Sequence, residues 1–280
     1  MSLGVLNNIS AIYAQNNLNQ TQMSLQNTLT QLSSGSRINS GADDAAGLAL
    51  ADGLHANVAA LTQSAQNASA GVGMLQTADG ALAQVTNLLT RAITLATEAS
   101  NGTLNTSQVS SADQEYQKIL DEIKNIGSTT NYNGNNVFSA APVNVFVSDG
   151  TSTGASTFAL TVGALALATV GTGSAGTGSS LTGTALTTAP DTVLTTLTDA
   201  VQNVAYQRGT LGANVNQLNA AANVANTQSV NLASAENNIR ATDYGQATSD
   251  MAKFQVLTQT GIAALSQANA VQQDVLKLLQ

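Results

Sequence analysis

Apolar residues recur at alternating spacings of three and four along much of the chain, which is the heptad pattern of packed helices. At about 1.5 Å per residue, a helix over the longest series would extend roughly 70 Å. That length favours a coiled coil or helical bundle over an ordinary globular helix. The series comprises Leu194, Leu197, Val201, Val204, Arg208, Leu211, Val215, Leu218, Ala222, Ala225, Ser229, Leu232, Glu236 and Ile239.

The first half of the chain offers a partner for this helix. A shorter helix is predicted after it, around Tyr116, Ile119, Ile123 and Ile126, with a turn at 101–103 between the two. The partner series comprises Leu54, Val58, Leu61, Ala65, Ala68, Val72, Leu75, Ala78, Leu82, Val85 and Leu89.

Both ends of the chain carry two apolar stripes. A helix with two such stripes needs partners on two sides, one within the chain and one from another molecule, unless a monomeric bundle buries both. The N-terminal stripes are Val5, Ile9 and Ile12, and Ala11, Ala14, Leu18, Leu25, Leu29 and Leu32. The C-terminal stripes are Met251, Phe254, Leu265, Ala268, Val275 and Leu279, and Leu257, Ala264, Val271 and Leu278.

The helical period disappears between about Ser139 and Pro190. Residues 143–147 and 157–162 predict short strands joined by a turn at 148–150, and the Gly/Ser/Thr-rich stretch 171–180 predicts a loop. We therefore predict a mainly α fold, in which N- and C-terminal segments build a long antiparallel helical rod with a small β-rich insertion at its tip.

The composition excludes several classes of function. The net charge is −8, only 9% of residues are charged, and cysteine is absent. These values argue against nucleic-acid or anionic-membrane binding, disulfides and thiolate metal sites. No apolar run is long enough to span a membrane, and no secretory signal is apparent. His55 is the single histidine and no catalytic motif accompanies it, so we expect neither an enzyme, a cofactor nor a metal site.

Several motifs in order resemble bacterial flagellin. Residues Leu32-Ser-Ser-Gly-Ser-Arg-Ile-Asn-Ser-Gly-Ala-Asp-Asp-Ala-Ala-Gly-Leu48 resemble its N-terminal signature. Ile239-Arg-Ala-Thr-Asp-Tyr244, Gln259-Thr-Gly-Ile-Ala-Ala-Leu-Ser-Gln-Ala-Asn269 and Val275-Leu-Lys-Leu-Leu279 resemble its C-terminal signature. Thr129-Thr-Asn-Tyr-Asn-Gly134 resembles the turn that closes the family's N-terminal rod segment, and Leu211-Gly-Ala-Asn-Val-Asn-Gln-Leu218 resembles the returning rod helix.

The resemblance implies the organisation of the chain. Residues 1–42 and 239–280 would form an inner-core helical domain. Residues 43–138 and 191–238 would form the rod, and 139–190 a variable, solvent-facing insertion. The implied function is a structural subunit that polymerises into the flagellar filament for swimming. The implied location is extracellular, reached through the flagellar type III export apparatus without a cleaved signal. Implied partners are copies of itself, hook-associated and cap proteins, and an export chaperone.

The terminal stripes supply the predicted self-assembly residues. Arg37, Asp43, Asp44, Arg240 and Asp243 are predicted to cap helices or contact neighbouring subunits, with Arg37 paired to Asp43, to Asp44 or to another copy. The assembly residues are Val5, Ile9, Ile12, Leu18, Leu25, Leu29, Leu32, Met251, Phe254, Leu257, Leu265, Val271, Val275, Leu278 and Leu279.

Two further surfaces follow from the resemblance. Arg91, Leu95 and Glu115 resemble positions where animal Toll-like receptors recognise flagellin, although Ile93 and Thr94 replace the usual Arg and Glu. We therefore expect weakened recognition. The exposed hydroxyls of Thr151, Ser152, Thr177 and Ser180 are candidates for O-linked glycans, with an unmodified loop as the alternative.

Two other functions remain open at this point. The hook–filament junction protein resembles flagellin at both ends. The motifs Asp43-Asp44-Ala-Ala-Gly47 and Gln267-Ala-Asn269 favour the filament subunit, and growth of long filaments from seeds would decide. A secreted adhesin or enzyme on a coiled-coil stalk would need a reactive constellation in the insertion, and none is visible in the sequence.

Overall fold

The computed structural model describes residues 8–150, 157–171 and 179–278, without the side chains of 272 and 274–278. Its helices are α1 (Ile9–Ser34), α2 (Ala45–Ala99), α3 (Thr106–Thr129), α4 (Pro190–Arg240) and α5 (Tyr244–Leu278). Its short strands are β1 (Asn131–Tyr132), β2 (Asn135–Asn136), β3 (Val143–Phe146) and β4 (Thr157–Leu160). None of the described helices has a stretch long and apolar enough to cross a membrane.

The chain divides into two compact units. The terminal unit consists of Met1–Ala56 and Asn231–Gln280, and the central unit of Asn57–Val230. Helices α2 and α4 contribute residues to both. The prediction of a mainly helical fold with a few small antiparallel strands is confirmed.

In the central unit, α2 and α4 run antiparallel. The hydroxyl oxygens of Thr62 and Ser229 lie 3.4 Å apart, and Asp79 forms a 2.7 Å ion pair with Arg208. Residue numbers along α4 therefore decrease as those along α2 increase. The apolar side chains between the helices are almost completely buried, and each Leu or Val contributes about 1.5–3 kcal/mol by leaving water. They include Leu61, Leu75, Leu82, Val85, Leu89, Leu197, Val204, Leu211 and Leu218.

Helix α3 lies where the sequence predicts a shorter helix. Asn105 and Gln108 form a reciprocal capping box at its start, which satisfies the amide N–H groups of both residues. Its apolar face buries Tyr116, Ile119 and Ile123 in the same core as α2 and α4.

Two hairpins follow α3, and the first has a tight turn. Asn133 and Gly134 connect β1 to β2 with φ of 50° and 80°, which is the left-handed backbone that a two-residue hairpin turn requires. Strands β3 and β4 then pair antiparallel, with Val143 opposite Leu160.

The second hairpin is held on α2. The Ser64 hydroxyl donates to the Ser148 carbonyl oxygen at 2.6 Å, and the Asn67 amide donates to the Phe146 carbonyl oxygen at 3.2 Å. Gly71 permits the close approach, because a Cβ atom there would lie 3.1 Å from Val145.

Residues 139–190, predicted to form a solvent-facing insertion, bury several apolar side chains in the core of the central unit and pack along its helices. The Tyr116 hydroxyl lies 2.5 Å from that of Thr184, and Asp113 accepts the Leu186 N–H at 2.7 Å. Burial raises the pKa of the Tyr116 phenol. The segment covers the side of the core that α2, α3 and α4 leave open. Its apolar side chains are removed from water by packing there. The buried members are Val145, Leu160, Val162, Leu165, Val170, Leu181 and Leu186.

The predicted seam on α4 needs a correction at its N-terminal end. Residues Val193, Ala200 and Gln207 are buried there, while the predicted Leu194, Val201 and Arg208 are half-buried beside them. This part of α4 packs on α2 and also on residues of the ranges 157–171 and 179–186, so its buried face is broader than a strict heptad seam. The Gln207 amide accordingly donates to the Val162 carbonyl oxygen.

Replacing a buried side chain of the 139–190 segment tests whether it belongs to the core. Leu186 is 1% exposed, so Leu186→Ala should lower the free energy of unfolding by about 2–4 kcal/mol. Leu50→Ala makes the same change at a side chain that is 58% exposed and should cost within about 0.5 kcal/mol. Urea unfolding followed by circular dichroism measures both, and equal effects would show that the segment is only a surface addition.

Candidate self-assembly surface

Helices α1 and α5 of the terminal unit pack antiparallel along one narrow seam. Asn8 at the start of α1 donates to the Ala268 carbonyl oxygen at 2.9 Å, and Thr242 before α5 donates its N–H to the Gly35 carbonyl oxygen at 3.1 Å. The seam positions follow an unbroken alternation of three and four. They are Ala11, Ala14, Leu18, Thr21, Leu25, Thr28 and Leu32 on α1, and Ala247, Met251, Phe254, Thr258, Gly261, Leu265 and Ala268 on α5.

Small residues set the width of this seam. Leu18 fits against Gly261 so closely that a Cβ atom on the glycine would lie 3.2 Å from the Leu18 Cδ1 atom. Only Thr28 and Ala247 are fully buried, and the remaining seam positions are half-buried. The pair therefore buries much less apolar surface than the central unit does.

Large apolar side chains remain on the outer sides of the same two helices. At 3.6 residues per turn, Ile9, Ile12 and Met23 point away from the seam on α1, and Val256 does so on α5. Their exposed fractions are 59%, 56%, 59% and 58%. We call these four residues the outer stripe. Tyr13, Leu29, Leu257, Ile262 and Val271 extend the exposed apolar surface around it.

The predicted assembly residues thus fall into two groups. Leu18, Leu25, Leu32, Met251, Phe254 and Leu265 lie in the seam, whereas Ile9, Ile12, Leu29, Leu257 and Val271 are exposed. Leu29 belongs to the predicted stripe with Leu25 and Leu32, but Thr28 occupies the seam position and Leu29 is exposed. Val5 and Leu279 lie outside the described residues, as do the side chains of Val275 and Leu278.

The polar and glycine members of the seam are not among the predicted assembly residues. Thr21, Thr28, Thr258 and Gly261 occupy heptad positions, but a search for apolar residues passes over them. Continuing the alternation of three and four residues through polar positions would have identified these four residues. It would also have placed Met23 and Val256 opposite the seam.

The connection after α1 is joined to the start of α5 by backbone hydrogen bonds. Gly35 ends α1 with φ of 70°, and a Cβ atom there would lie 2.8 Å from the Tyr244 hydroxyl oxygen. Arg37 donates its N–H to the Arg240 carbonyl oxygen at 2.7 Å, beside a bridge between Ser36 and Ala241. These bonds fix the end of α1 beside the start of α5.

The predicted capping carboxylates hold the neighbouring turns. Asp44 accepts the Gly47 N–H at 2.8 Å at the start of α2, and Asp243 accepts the Gly245 N–H at 2.9 Å at the start of α5. Asp43 accepts the N–H groups of Asn39 and Ser40, and these bonds lower the pKa of its carboxyl group.

Arg37 has a different partner from the intramolecular one expected. Its guanidinium donates to the Ile239 carbonyl oxygen at 3.0 Å, and within the described part of the chain no ion pair joins it to Asp43 or Asp44. Both carboxylates are already engaged by backbone N–H groups. Arg240 instead pairs with Asp52 at 3.5 Å and with Glu236 at 3.6 Å.

The suggested receptor positions do not form one accessible face. Arg91 and Glu115 make a 2.7 Å ion pair on the surface of the central unit, which lowers the pKa of the Glu115 carboxyl group. Leu95 is 2% exposed and belongs to the core. The side chain of Leu95, one helical turn after Arg91, therefore points into the core while Arg91 stays on the surface.

The remaining candidate positions carry little structural information. Ser180 is exposed, and Thr151, Ser152 and Thr177 lie outside the described residues. In the described ranges, no group of three or more His, Asp or Glu side chains is placed to hold a metal ion.

Replacing Gly261 by a larger residue tests whether the close contact with Leu18 holds α1 against α5. Gly261→Val should force Leu18 out of position and destabilise the α1–α5 pair by about 1–3 kcal/mol. Gly53→Val introduces the same side chain in a helix where no atom lies within 4 Å. Hydrogen exchange of α1 amides should be faster in Gly261→Val only. Equal exchange in both variants would contradict the close fit.

Comparison with known proteins gives matches at both ends of the chain. Residues 5–142 match the family model of the bacterial flagellin N-terminal helical region, and residues 194–279 match that of the C-terminal helical region. The chain is 31% identical over 283 residues to the flagellar filament 33 kDa core protein of Treponema phagedenis, covering 98% of both. It is 30% identical over 285 residues to flagellin FlaB2 of Treponema pallidum, again covering 98% of both.

Other relatives match over part of their length. Flagellin 1 of Proteus mirabilis is 41% identical over 145 residues, which is 52% of this chain and 40% of that one. The crystal structure of Bacillus cereus flagellin is 30% identical, with a TM-score of 0.47, and covers 62% of this chain and 94% of that one. The two regional matches and the end-to-end relatives together show that the chain belongs to the bacterial flagellin family.

Proposed function

We propose that this flagellin polymerises into the flagellar filament for swimming motility and that the outer stripe of α1 and α5 contacts neighbouring copies. Membership of the family makes the chain a structural subunit of such a filament. The observation that carries the assignment of the surface is the exposure of Ile9, Ile12, Met23 and Val256 on the outer sides of two helices already paired through their seam.

The energetics favour burial of this stripe in an assembly. Each large apolar side chain contributes about 1.5–3 kcal/mol when it leaves water completely. Because the four residues are a little over half exposed, burying the rest of them is worth roughly 3–7 kcal/mol in total. The cost of association is about 4–15 kcal/mol, so the stripe offsets part of this cost and the surrounding Tyr13, Ile262 and Val271 would add to it.

The absence of charge on α1 supports the same proposal. The first charged residue of the chain is Arg37. A helix without Lys, Arg, Asp or Glu can be surrounded by protein without the cost of desolvating a charge. A contact of this kind that does not close on itself generates a helical filament.

The organisation implied by the family is part of the proposal. Residues 1–42 and 239–280 would form the inner core, and 43–138 and 191–238 the rod around it. Residues 139–190 would lie on the outside, although much of this segment packs into the core of the central unit rather than standing free.

Partners and location are proposed on the family resemblance. The subunit would leave the cell through the flagellar type III export apparatus, meet an export chaperone, and grow between hook-associated and cap proteins. Its role would be structural rather than enzymatic. The exposed Arg91–Glu115 pair, without Leu95, leaves only part of the face expected for an animal Toll-like receptor.

The hook–filament junction protein is the runner-up from the same family. It would add a few subunits to a hook rather than extend a filament. Purified chain that elongates filament seeds without limit supports a filament subunit, and chain that binds to hook ends but does not elongate supports the runner-up.

Removing methyl groups from the outer stripe tests the assembly surface. Ile12→Thr combined with Val256→Thr should raise the critical concentration for polymerisation by at least about tenfold, at about 0.8 kcal/mol per buried methylene. Both side chains are more than half exposed, so folding of the monomer should be unaffected. Sedimentation of filaments after seeding measures the critical concentration.

The matched control is Val224→Thr on α4 of the central unit. Val224 is 56% exposed, against 58% for Val256, so the same chemical change is made at the same exposure. We expect a critical concentration close to that of the unmodified chain. A control as impaired as the double variant would mean that assembly does not depend on the outer stripe in particular.

A further inference from the structure

The chain contains two Asn-Gly pairs, and each lies in a turn of the central unit. Asn101-Gly102 lies between α2 and α3, and Asn133-Gly134 lies between β1 and β2. An asparagine followed by glycine is prone to deamidation, because glycine has no side chain to keep its backbone nitrogen away from the asparagine side chain. Both pairs are exposed to solvent, so the local backbone decides which of them can react.

The turn at Asn101 brings the two reacting atoms together. The Asn101 carbonyl oxygen accepts the Leu104 N–H at 3.2 Å, and its side-chain Oδ1 accepts the Thr103 N–H at 3.2 Å. The second bond folds the side chain over the peptide bond that follows it, so that the Asn101 Cγ atom approaches the Gly102 nitrogen. It also draws electrons away from Cγ. The hydrogen bonds of the described residues leave the Gly102 N–H unengaged.

The backbone at Asn133 keeps the same two atoms apart. Its φ of 50° places it in the left-handed region, where ψ is about 47°. In that conformation the Cβ atom and the nitrogen of the next residue lie on nearly opposite sides of the Cα–C bond. The pairing of Tyr132 with Asn135 holds this backbone in place. Attack by the Gly134 nitrogen therefore requires the hairpin to open.

We propose that Asn101 is a site of spontaneous deamidation in the folded chain and that the hairpin protects Asn133. The Gly102 nitrogen attacks the Asn101 Cγ atom, so a new N–C bond forms and the bond from Cγ to the side-chain nitrogen breaks. The proton lost from the Gly102 N–H leaves with that nitrogen as ammonia. Water then opens the resulting succinimide ring at one of its two carbonyl carbons, which gives aspartate or isoaspartate.

Either product weakens the junction between α2 and α3. Aspartate places a negative charge just beyond the C-terminal end of α2, where the helix dipole disfavours it, and adds a like charge close in sequence to Glu98. Isoaspartate carries the main chain through the former side chain, and the added methylene group breaks the hydrogen-bonded turn that ends at Leu104. Neither change depends on the outer stripe or on filament assembly.

Incubation of the full, unpolymerised chain at mildly alkaline pH tests the proposal, because loss of a proton from the attacking nitrogen promotes the reaction. Peptide mapping by mass spectrometry follows Asn101 and Asn133 in the same sample. In the folded chain we expect Asn101 to convert at least about tenfold faster, since Asn133 reacts only when its hairpin opens. In urea the two should convert at similar rates, because both are then unstructured and followed by glycine.

Gly102→Ala is the matched variant. A Cβ atom at Gly102 has no other atom within 4 Å and its φ is not left-handed, so the fold accommodates alanine there. Conversion of Asn101 should be largely lost, while that of Asn133 in urea should not change. The proposal is overturned if Asn101 converts no faster than Asn133 in the folded chain. Undiminished conversion of Asn101 in Gly102→Ala also overturns it, since an unhindered Gly102 nitrogen would then not be required.

Discussion

The seam between α1 and α5 is too narrow to bury the apolar surface of the two helices that make it. Ala, Thr and Gly occupy half or more of its positions, which brings the helix axes close but leaves little side-chain volume to enclose. Larger residues such as Ile12 and Val256 consequently stay on the outer sides. The folded chain therefore leaves apolar side chains exposed on α1 and α5, and contact with a second copy can bury them.

The central unit buries the apolar faces of its helices within one chain. Helices α2, α3 and α4 enclose Leu75, Leu82, Tyr116 and Leu211 almost completely, and the segment after β4 closes the remaining side. The difference between the two units follows from side-chain size, because Leu and Val are more frequent in the seams of the central unit and Ala, Thr and Gly are more frequent in the terminal seam.

Periodicity predicted the helices well because a heptad series over many turns is difficult to produce by chance. It could not decide between Val193 and Leu194, or between Gln207 and Arg208, since adjacent series share Leu197, Val204 and Leu211. Tertiary packing on two sides of α4 made that choice. In the same way, Leu95 follows Arg91 by one turn, and only the core shows that its side chain points inward.

The candidate site was predictable to the extent that it depends on helix faces, and less so where it depends on loops. Residues such as Ile9 and Leu257 could be identified as apolar surface, but the bond from Arg37 to Ile239 joins parts of the chain 202 residues apart. The scarcity of charged residues in the chain has a physical explanation in the terminal unit. Along the outer stripe a charge would oppose burial between copies. Arg240, in contrast, contacts Asp52 and Glu236 and accepts the Arg37 N–H, so these charges lie beside the connection at which α1 ends and α5 begins, away from the outer stripe.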